Sequence, residues 1–381
     1  MKTEHHTRIR SLFLHLLTAA IWEREVQAER FKGLSAGDWR ALAALAHKQS
    51  VNALVADKVL SLPGDVLPPR DLSLQFLAHI EQTKVMNNNR LEVLGALKEE
   101  YARAGFPFVL MKGLVSGHYY PNPLLRNPGD MDILLYQSGD YKKSFQWAVN
   151  QGYDAKDAGH IHYNYPWHGV TIEPHSRISY FDRRRFDSLY AVWEREVMDQ
   201  PEAFPVLPMG FGGKVVETAV LPVEMNAFFL FHHMFRHFIH LGVGLRHVCD
   251  WVLFLYRNRD KIDAAAFEAR ARSFALLYPM QVFAGVAVEC LDAPEDIFPF
   301  PLPDKRHRRH VRRVGEDILK MGNFGFHKPG RQRPGAKYAG MWFSFVQTVI
   351  RSVKFAGLSV QHIPVLPFKK LWNRLRIGLD A

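Results

Sequence analysis

The sequence predicts an α+β fold in which a small mixed β-sheet is embedded between an N-terminal helical segment and a C-terminal helical domain. Three observations carry this expectation. Apolar residues recur at helical spacing through residues 1–104 and again beyond residue 222. Between these stretches lie short apolar runs bounded by Gly and Pro, too brief for helices. One of the runs, Asp130-Met-Asp-Ile-Leu-Leu135, opens with two carboxylates.

In chain order, Trp39, Leu42, Leu45 and Ala46 mark one amphipathic helix, and Leu72, Phe76, Ile80 and Val85 mark another. The turn formers from Ser61 to Pro69 separate them, and the second helix is expected from about Asp71 to Ala104, stopped by Gly105 and Pro107. Phe106 to Met111 reads as a buried strand ending at Lys112-Gly113, followed by a short helix over Leu114 to Tyr120. After the Pro121-Asn-Pro123 loop comes the strand with Asp130 and Asp132, and then a helix capped by Ser138 and closed by Gly152. Ile161 to Trp167 and Val170 to Ile178 read as two strands joined at His168-Gly169, so that Glu173 and His175 share a face. Met209 to Lys214 reads as a hairpin turn leading to a strand over Val215 to Leu221. It is not a P-loop, because Val215 follows the lysine and no helix opens there. Residues 223–257 and 263–322 are helical, and Lys328 to Lys337 is a Gly, Pro and Arg-rich loop. The expected division is 1–104 helical, 105–221 α/β core, 222–327 helical, and 328–381 loop and basic, aromatic tail.

Composition narrows the function classes. At 381 residues, with 48% hydrophobic and 23% charged side chains, the chain suits a soluble globular protein with a sizeable core. Cys249 and Cys290 alone are too few for a disulfide framework or a cysteine-rich zinc site, which favours a reducing, cytoplasmic setting. The polar start and the interruption of Leu12 to Ile21 by His15 fit neither a signal peptide nor a membrane span. A net charge of +11 points to an anionic partner. The basic clusters Arg183 to Arg185 and Lys305 to Arg313 lack interleaved aromatics for base stacking, so solvated helix faces are the simpler account and nucleic acid a weak one.

Asp130 and Asp132 alternate with Met131 and Ile133, so on a strand both carboxylates point one way and the apolar pair the other. Paired carboxylates on a strand need a compensating cation or hydrogen bonds, and Mg²⁺ is such a cation. Asn127-Pro-Gly-Asp130 is equally good turn chemistry, so residues 126–135 alone leave a turn and a metal site both open.

The order of Lys112-Gly113, Asp130-Met-Asp132 and Glu173 resembles the DNA polymerase β-like nucleotidyltransferase superfamily. More closely, Phe108 to Gly113, Tyr120-Pro121, Arg126, Asp130 to Leu135, Ile172 to His175, His237 to Trp251 and Gly322 to Gly325 are similar to an uncharacterised bacterial nucleotidyltransferase family. The resemblance covers most of residues 70–330. It implies transfer of a nucleoside monophosphate from a nucleoside triphosphate to a hydroxyl acceptor, with release of pyrophosphate and dependence on Mg²⁺ or Mn²⁺. It also implies roles: Asp130, Asp132 and Glu173 as catalytic metal ligands, with Glu173 able to take the acceptor's proton. Lys112 and Arg126 become triphosphate ligands, and Gly113 and Gly129 allow close backbone approach. The superfamily's Gly-Ser turn is absent, since Leu114 follows Gly113, and its phosphate-gripping role falls either to Ser116, displaced by one helical turn, or to Lys112. That departure keeps a second class in view, an inactive nucleotide-binding or interaction protein on the same fold.

His232, His233, Arg236, His237 and His240 crowd one stretch, and His233 with His237 has zinc-compatible spacing. No Glu stands between them in the metalloprotease arrangement, and buried histidines that satisfy neighbours are the plainer account. Arg246 and Asp250 form either an i,i+4 ion pair or a bridge from the helices to the site. His175 is either a partner of Glu173 or a strand histidine. The tail from Trp342 to Leu379 reads as a segment packed on the core, with a membrane-surface role as the alternative.

Overall fold

The computed structural model describes residues 2–159, 161–211, 213–302, 304, 307–323 and 337–368. Four helices come first: α1 Lys2–Ile21, α2 Ala36–Lys48, α3 Asn52–Leu60 and α4 Arg70–Arg103. The middle of the chain supplies β1 Phe108–Met111, α5 Leu114–His118, β2 Met131–Leu135, α6 Asp140–Asn150, β3 Lys156–Asp157, β4 Tyr163–Trp167 and β5 Val170–His175. Next come α7 Arg184–Met198 and the hairpin β6 Val206–Phe211 with β7 Lys214–Ala219. The helices α8 Val223–His240, α9 Leu245–Asn258, α10 Ala264–Ser273, α11 Leu277–Leu291, α12 Arg308–Met321 and α13 Lys337–Phe355 follow. The predicted α+β class is observed.

The sheet runs β1-β2-β5-β4-β3, and only β2 and β5 are parallel neighbours. Alternation gives its two faces different fates. Leu110, Met131, Ile133, Leu135, Val170 and Ile172 pack in one core with Leu94, Leu97 and Tyr101 of α4. Val109, Met111 and Leu134 face the other way, into a larger core shared with the helices. Asp132, Glu173 and His175 lie on that second face, because they alternate with Met131 and Ile133 on β2 and with Ile172 on β5. Helix α4 serves both cores: Leu72, Phe76 and Ile80 pack in the larger one, Leu91 onward against the sheet.

Several boundaries differ from expectation for physical reasons. Val85 is exposed, and the buried stripe of α4 passes instead through Thr83 and Asn87. Asn87 spends its amide on the carbonyls of Leu124 and Arg126 at 2.8 and 2.9 Å, so a polar residue interrupts the apolar pattern where the helix grips a loop. Ser138 does not cap α6: the N-cap is Gly139 in the left-handed region, with no side-chain bond. β5 ends at His175 because Arg177 and the amide of Ile178 turn to the buried Glu194 of α7. β3 carries no apolar alternation, which hid it in the sequence. The β4–β5 turn is His168-Gly169 as read, with positive φ at both residues, as a tight two-residue hairpin turn requires.

The tail packs on the core only in part over its described residues: Phe355, Leu358, Ile363 and Leu366 are buried and Arg351 bonds Asp317 and the Phe238 carbonyl, whereas Trp342, Val353 and Phe368 are exposed. The expected loop after Lys328 lies outside the described residues up to 336, as do Lys305, Arg306, Lys369 and Lys370. No single helix among the described residues is long and apolar enough to cross a membrane.

The start of α9, which carries site residues, is fixed by the fully buried Gln49. Its amide donates to the carbonyls of Ile318 and Leu319, while its oxygens accept from the amides of Leu245 and Arg246. Gly244 passes so close that an added Cβ would stand 2.9 Å from the Gln49 carbonyl oxygen. Gly244→Ala is therefore expected to cost about 1–3 kcal/mol through overpacking against backbone. Urea unfolding checks this, and an unchanged midpoint would show that the α9 start has room to move.

Candidate functional site

A cavity of about 700 Å³ opens between the second face of the sheet and helices α8 and α9. Lys112, Gly113, Ser116, Arg126, Gly129, Asp130, Asp132 and Glu173 all line it. The cause is register. Asp132 is paired with Met111 on one side and with Glu173 on the other, so the end of β1 and two carboxylates meet at one level of the sheet.

Within this floor Asp132, Glu173 and His175 form the tight group, with one ligand atom from each lying within 4.8 Å of the others. Asp130 is outside this group. It precedes the strand and sits exposed at the rim, so the expected trio of Asp130, Asp132 and Glu173 is replaced, as a close donor set, by one containing His175. His175 Nε2 lies 3.1 Å from Asp132 Oδ1, a hydrogen bond, and 3.8 Å from Glu173 Oε2, within ion-pair range only. His162, which the sequence reading passed over, stacks on it with centroids 4.9 Å apart.

Electrostatics follow from burial. Desolvation alone would raise the Asp132 carboxyl, but the Lys112 ammonium at 2.7 Å and the His175 hydrogen bond outweigh it and hold the group well below the usual range. Desolvation would likewise lower His175, and its bonds to Asp132 and Glu173 reverse the direction. Asp130 is raised, by partial shielding and then by repulsion from Glu173 and Asp132. The donor set fits a divalent cation: carboxylate oxygens suit Mg²⁺ or Mn²⁺, and an imidazole nitrogen favours the latter. Lys112 Nζ now fills the cationic role beside Asp132.

Lys112 reaches Asp132 because the chain turns sharply after β1, with φ of +42° at Lys112 and +52° at Gly113. A Cβ at Gly113 would stand 3.3 Å from the Asp130 carbonyl oxygen, so glycine is what permits this approach. Ser116 is almost fully buried on α5, with its Oγ unpartnered at the cavity wall. Arg126 departs from its expected part. Both edges of its fork bind Asp250, Nε to Oδ1 and Nη2 to Oδ2, each at 2.8 Å, so the guanidinium is already committed. Asp250 also accepts from Tyr120 Oη at 2.7 Å, and Arg246 donates to the Asn127 carbonyl at 3.1 Å. Asp250 thus takes Arg126 from the loop, not Arg246 one turn before it, and bridges helix to site. Arg90 of α4, also unread in the sequence, secures the Gly129 carbonyl at 2.9 Å.

The opposite wall is imidazole-rich. His233, His237 and His247 cluster with centroids 4.4 to 6.4 Å apart. His232 instead turns to Ser179 Oγ at 3.0 Å and stacks on Phe181. Burial pushes all four down, His247 to about 3. Among the described residues the close metal-type group is the carboxylate one, not this helix face.

An acidic floor on a mixed sheet, a glycine turn beside it and a helical wall opposite together enclose the cavity. The sequence comparison gives the family: the model described as uncharacterised nucleotidyltransferase matches residues 35–292, and the chain belongs to that family. Among solved structures, an antigenic nucleotidyltransferase-like protein from Paracoccidioides brasiliensis is similar, with 11% identity, 54% of this chain and 93% of that chain covered, and a TM-score of 0.36. No curated protein matches the chain in sequence.

Two outcomes follow from the buried charges. Arg126→Leu leaves Asp250 buried without its cation and is expected to cost about 3–5 kcal/mol, with part recovered in the Arg126→Leu, Asp250→Leu double variant. Unfolding free energies of the singles and the double form a cycle that checks it; purely additive losses would mean the pair is not coupled. The four histidines are held neutral when folded, so their contribution is complete above the unfolded value near 6.5 and is lost as pH falls below it. Stability should drop between pH 7 and 5 by up to about 1.4 kcal/mol per pH unit for each, offset in part by His175, whose shift has the opposite sign. Chemical unfolding at both pH values measures the slope, and a flat or rising stability would refute it.

Proposed function

We propose that this protein is a divalent-metal-dependent nucleotidyltransferase of the DNA polymerase β-like type, moving a nucleoside monophosphate from a triphosphate to a hydroxyl acceptor and releasing pyrophosphate. The observation that carries this is the register pairing of Asp132 with Glu173 at the floor of a cavity sized for a small-molecule ligand. Membership of the nucleotidyltransferase family supports the reading. When bound, Mg²⁺ or Mn²⁺ supplies charge neutralisation along the polyphosphate and at the leaving group.

In this reading Asp132 and Glu173 hold the cation and Asp130 joins from the rim. Glu173 takes the proton of the attacking hydroxyl, and His175 positions both carboxylates from 3.1 and 3.8 Å. Lys112 leaves Asp132 and turns its ammonium to a phosphate oxygen, which suits a long side chain with a mobile point charge. The unpartnered Ser116 Oγ and the close backbone at Gly113 complete the phosphate side. Arg126 acts at one remove, by fixing the loop that ends in Gly129 and Asp130.

One observation favours a second reading, a nucleotide binder without turnover: Lys112 Nζ already bonds the Asp132 oxygen that a cation would need. Pyrophosphate release from each nucleoside triphosphate, with Mg²⁺ or Mn²⁺ and a panel of hydroxyl acceptors, separates the two. Asp132→Asn and Glu173→Gln are each expected to lower the rate by roughly 10²–10⁴-fold, and chelation of the metal to abolish it. Asp130→Asn should cost less than Asp132→Asn, since only the latter lies in the tight group. Full turnover in Asp132→Asn would sink the catalytic assignment.

A further inference from the structure

The wall facing the carboxylates carries two guanidinium groups that the proposed chemistry leaves unused. Arg236 of α8 lies over the Tyr180 ring at 3.8 Å from its centroid, and its buried Nε has no hydrogen-bond partner. Arg246 of α9 donates to the Asn127 carbonyl, and its buried Nε is likewise without a partner. Among the described residues neither guanidinium has a carboxylate within ion-pair distance, Asp250 and Asp130 acting on Arg246 only from farther off, and both line the cavity. The contrast with Arg126 is direct, since that side chain is saturated by a carboxylate at 2.8 Å on both edges.

A guanidinium is costly to shield from water unless an anion answers it. The groups between the two arginines do not answer it: His233, His237 and His247 are driven toward the neutral form by burial and by the neighbouring cations. They remain hydrogen-bonding groups, and the wall's net charge stays with Arg236 and Arg246. Lys112 is near enough for its charge to act on His233 and His237, but its ammonium is paired with Asp132. A fork of planar N–H donors beside neutral imidazoles is the chemistry that recognises a phosphate oxyanion.

We infer that the α8–α9 wall is a metal-independent oxyanion site, with Arg236 and Arg246 as its cations, that binds a phosphate group of a substrate across the cavity from Asp132 and Glu173. The inference rests on the nucleotidyl-transfer reading only for the origin of that phosphate, which belongs either to the triphosphate donor or to a phosphorylated acceptor.

The test is calorimetric titration of the full-length protein with inorganic tripolyphosphate in the presence of EDTA. Wild type binds, Arg236→Gln and Arg246→Gln each weaken binding by roughly tenfold to a hundredfold, and Arg236→Lys and Arg246→Lys recover part of it. Asp132→Asn retains binding, since no metal is involved. Absence of tripolyphosphate binding by wild type, or equal affinity in the folded Arg236→Gln, Arg246→Gln double variant, overturns the inference. Repeating the titration with inorganic phosphate after saturation with a non-hydrolysable nucleoside triphosphate identifies the source. Exclusion of the anion assigns the wall to the donor, and simultaneous binding assigns it to a phosphate-bearing acceptor. Binding that persists in a protein with no turnover would sink the transferase reading alone, and turnover without anion binding would sink this inference alone.

Discussion

Asp132 and Glu173 stand side by side because β2 and β5 are parallel and in register, and the rest of the cavity is arranged around that pairing. A backbone ladder cannot relax two neighbouring carboxylates apart without losing its own hydrogen bonds, so their repulsion has to be met by other groups. Lys112 and His175 meet it from either side. The unusual backbone at Lys112 and Gly113 then has a physical reason: the chain leaves β1 in a left-handed turn that brings the ammonium back over the strand it has just paired with. Strain in the turn and charge in the floor are two parts of one arrangement.

Around this floor the loop from Pro123 to Asp130 has little secondary structure of its own and is held from outside. Asn87 and Arg90 of α4 take its carbonyls, while Asp250 of α9 takes Arg126. One loop is therefore clamped by a helix of the N-terminal segment and by a helix of the C-terminal one. The Arg126–Asp250 bond is a poor source of net stability for two ions that had to be dehydrated, but it is a specific connector, because a bidentate fork accepts only one relative placement of loop and helix. Its effect on the site is positional: it sets where Gly129 and Asp130 end, and so where the rim of the cavity lies.

The fold was largely readable, and the reasons differ from element to element. Period-two alternation around Asp130-Met-Asp132 placed the carboxylate face opposite the apolar one, and the same logic put Glu173 and His175 together. Gly105, Gly152 and His168-Gly169 marked ends and turns because each occupies a backbone conformation that few residues tolerate. The local signals failed where a distant partner decides. Arg126 read as a phosphate ligand because its partner, Asp250, is far along the chain. Val85 read as core because the helix there turns its polar residues to a loop. The tight donor set also differs from the one expected, since spacing along β2 weighs Asp130 and Asp132 equally, whereas the strand begins only at Met131 and leaves Asp130 at the rim. Arg90 and His162 carried no such signal, since Arg90 follows three asparagines on α4 and His162 precedes β4.

Apart from the Arg126–Asp250 pair, whose charges cancel, the cavity is divided by charge, with Asp132 and Glu173 on the sheet side and Arg236 and Arg246 on the helical side, and this division constrains what can bind. A neutral ligand would leave both sides uncompensated, and a simple cation or anion would answer only one of them. Under the proposed function, a cation carried on a polyphosphate would present positive charge to the floor and oxyanions to the wall and so complement both at once. The buried imidazoles of the helical wall are driven toward the neutral form, so they add no charge that would blur the division. Under the proposed function this is also how Lys112 stands in for the cation before substrate arrives, since its stem is long enough to reach Asp132 from the turn.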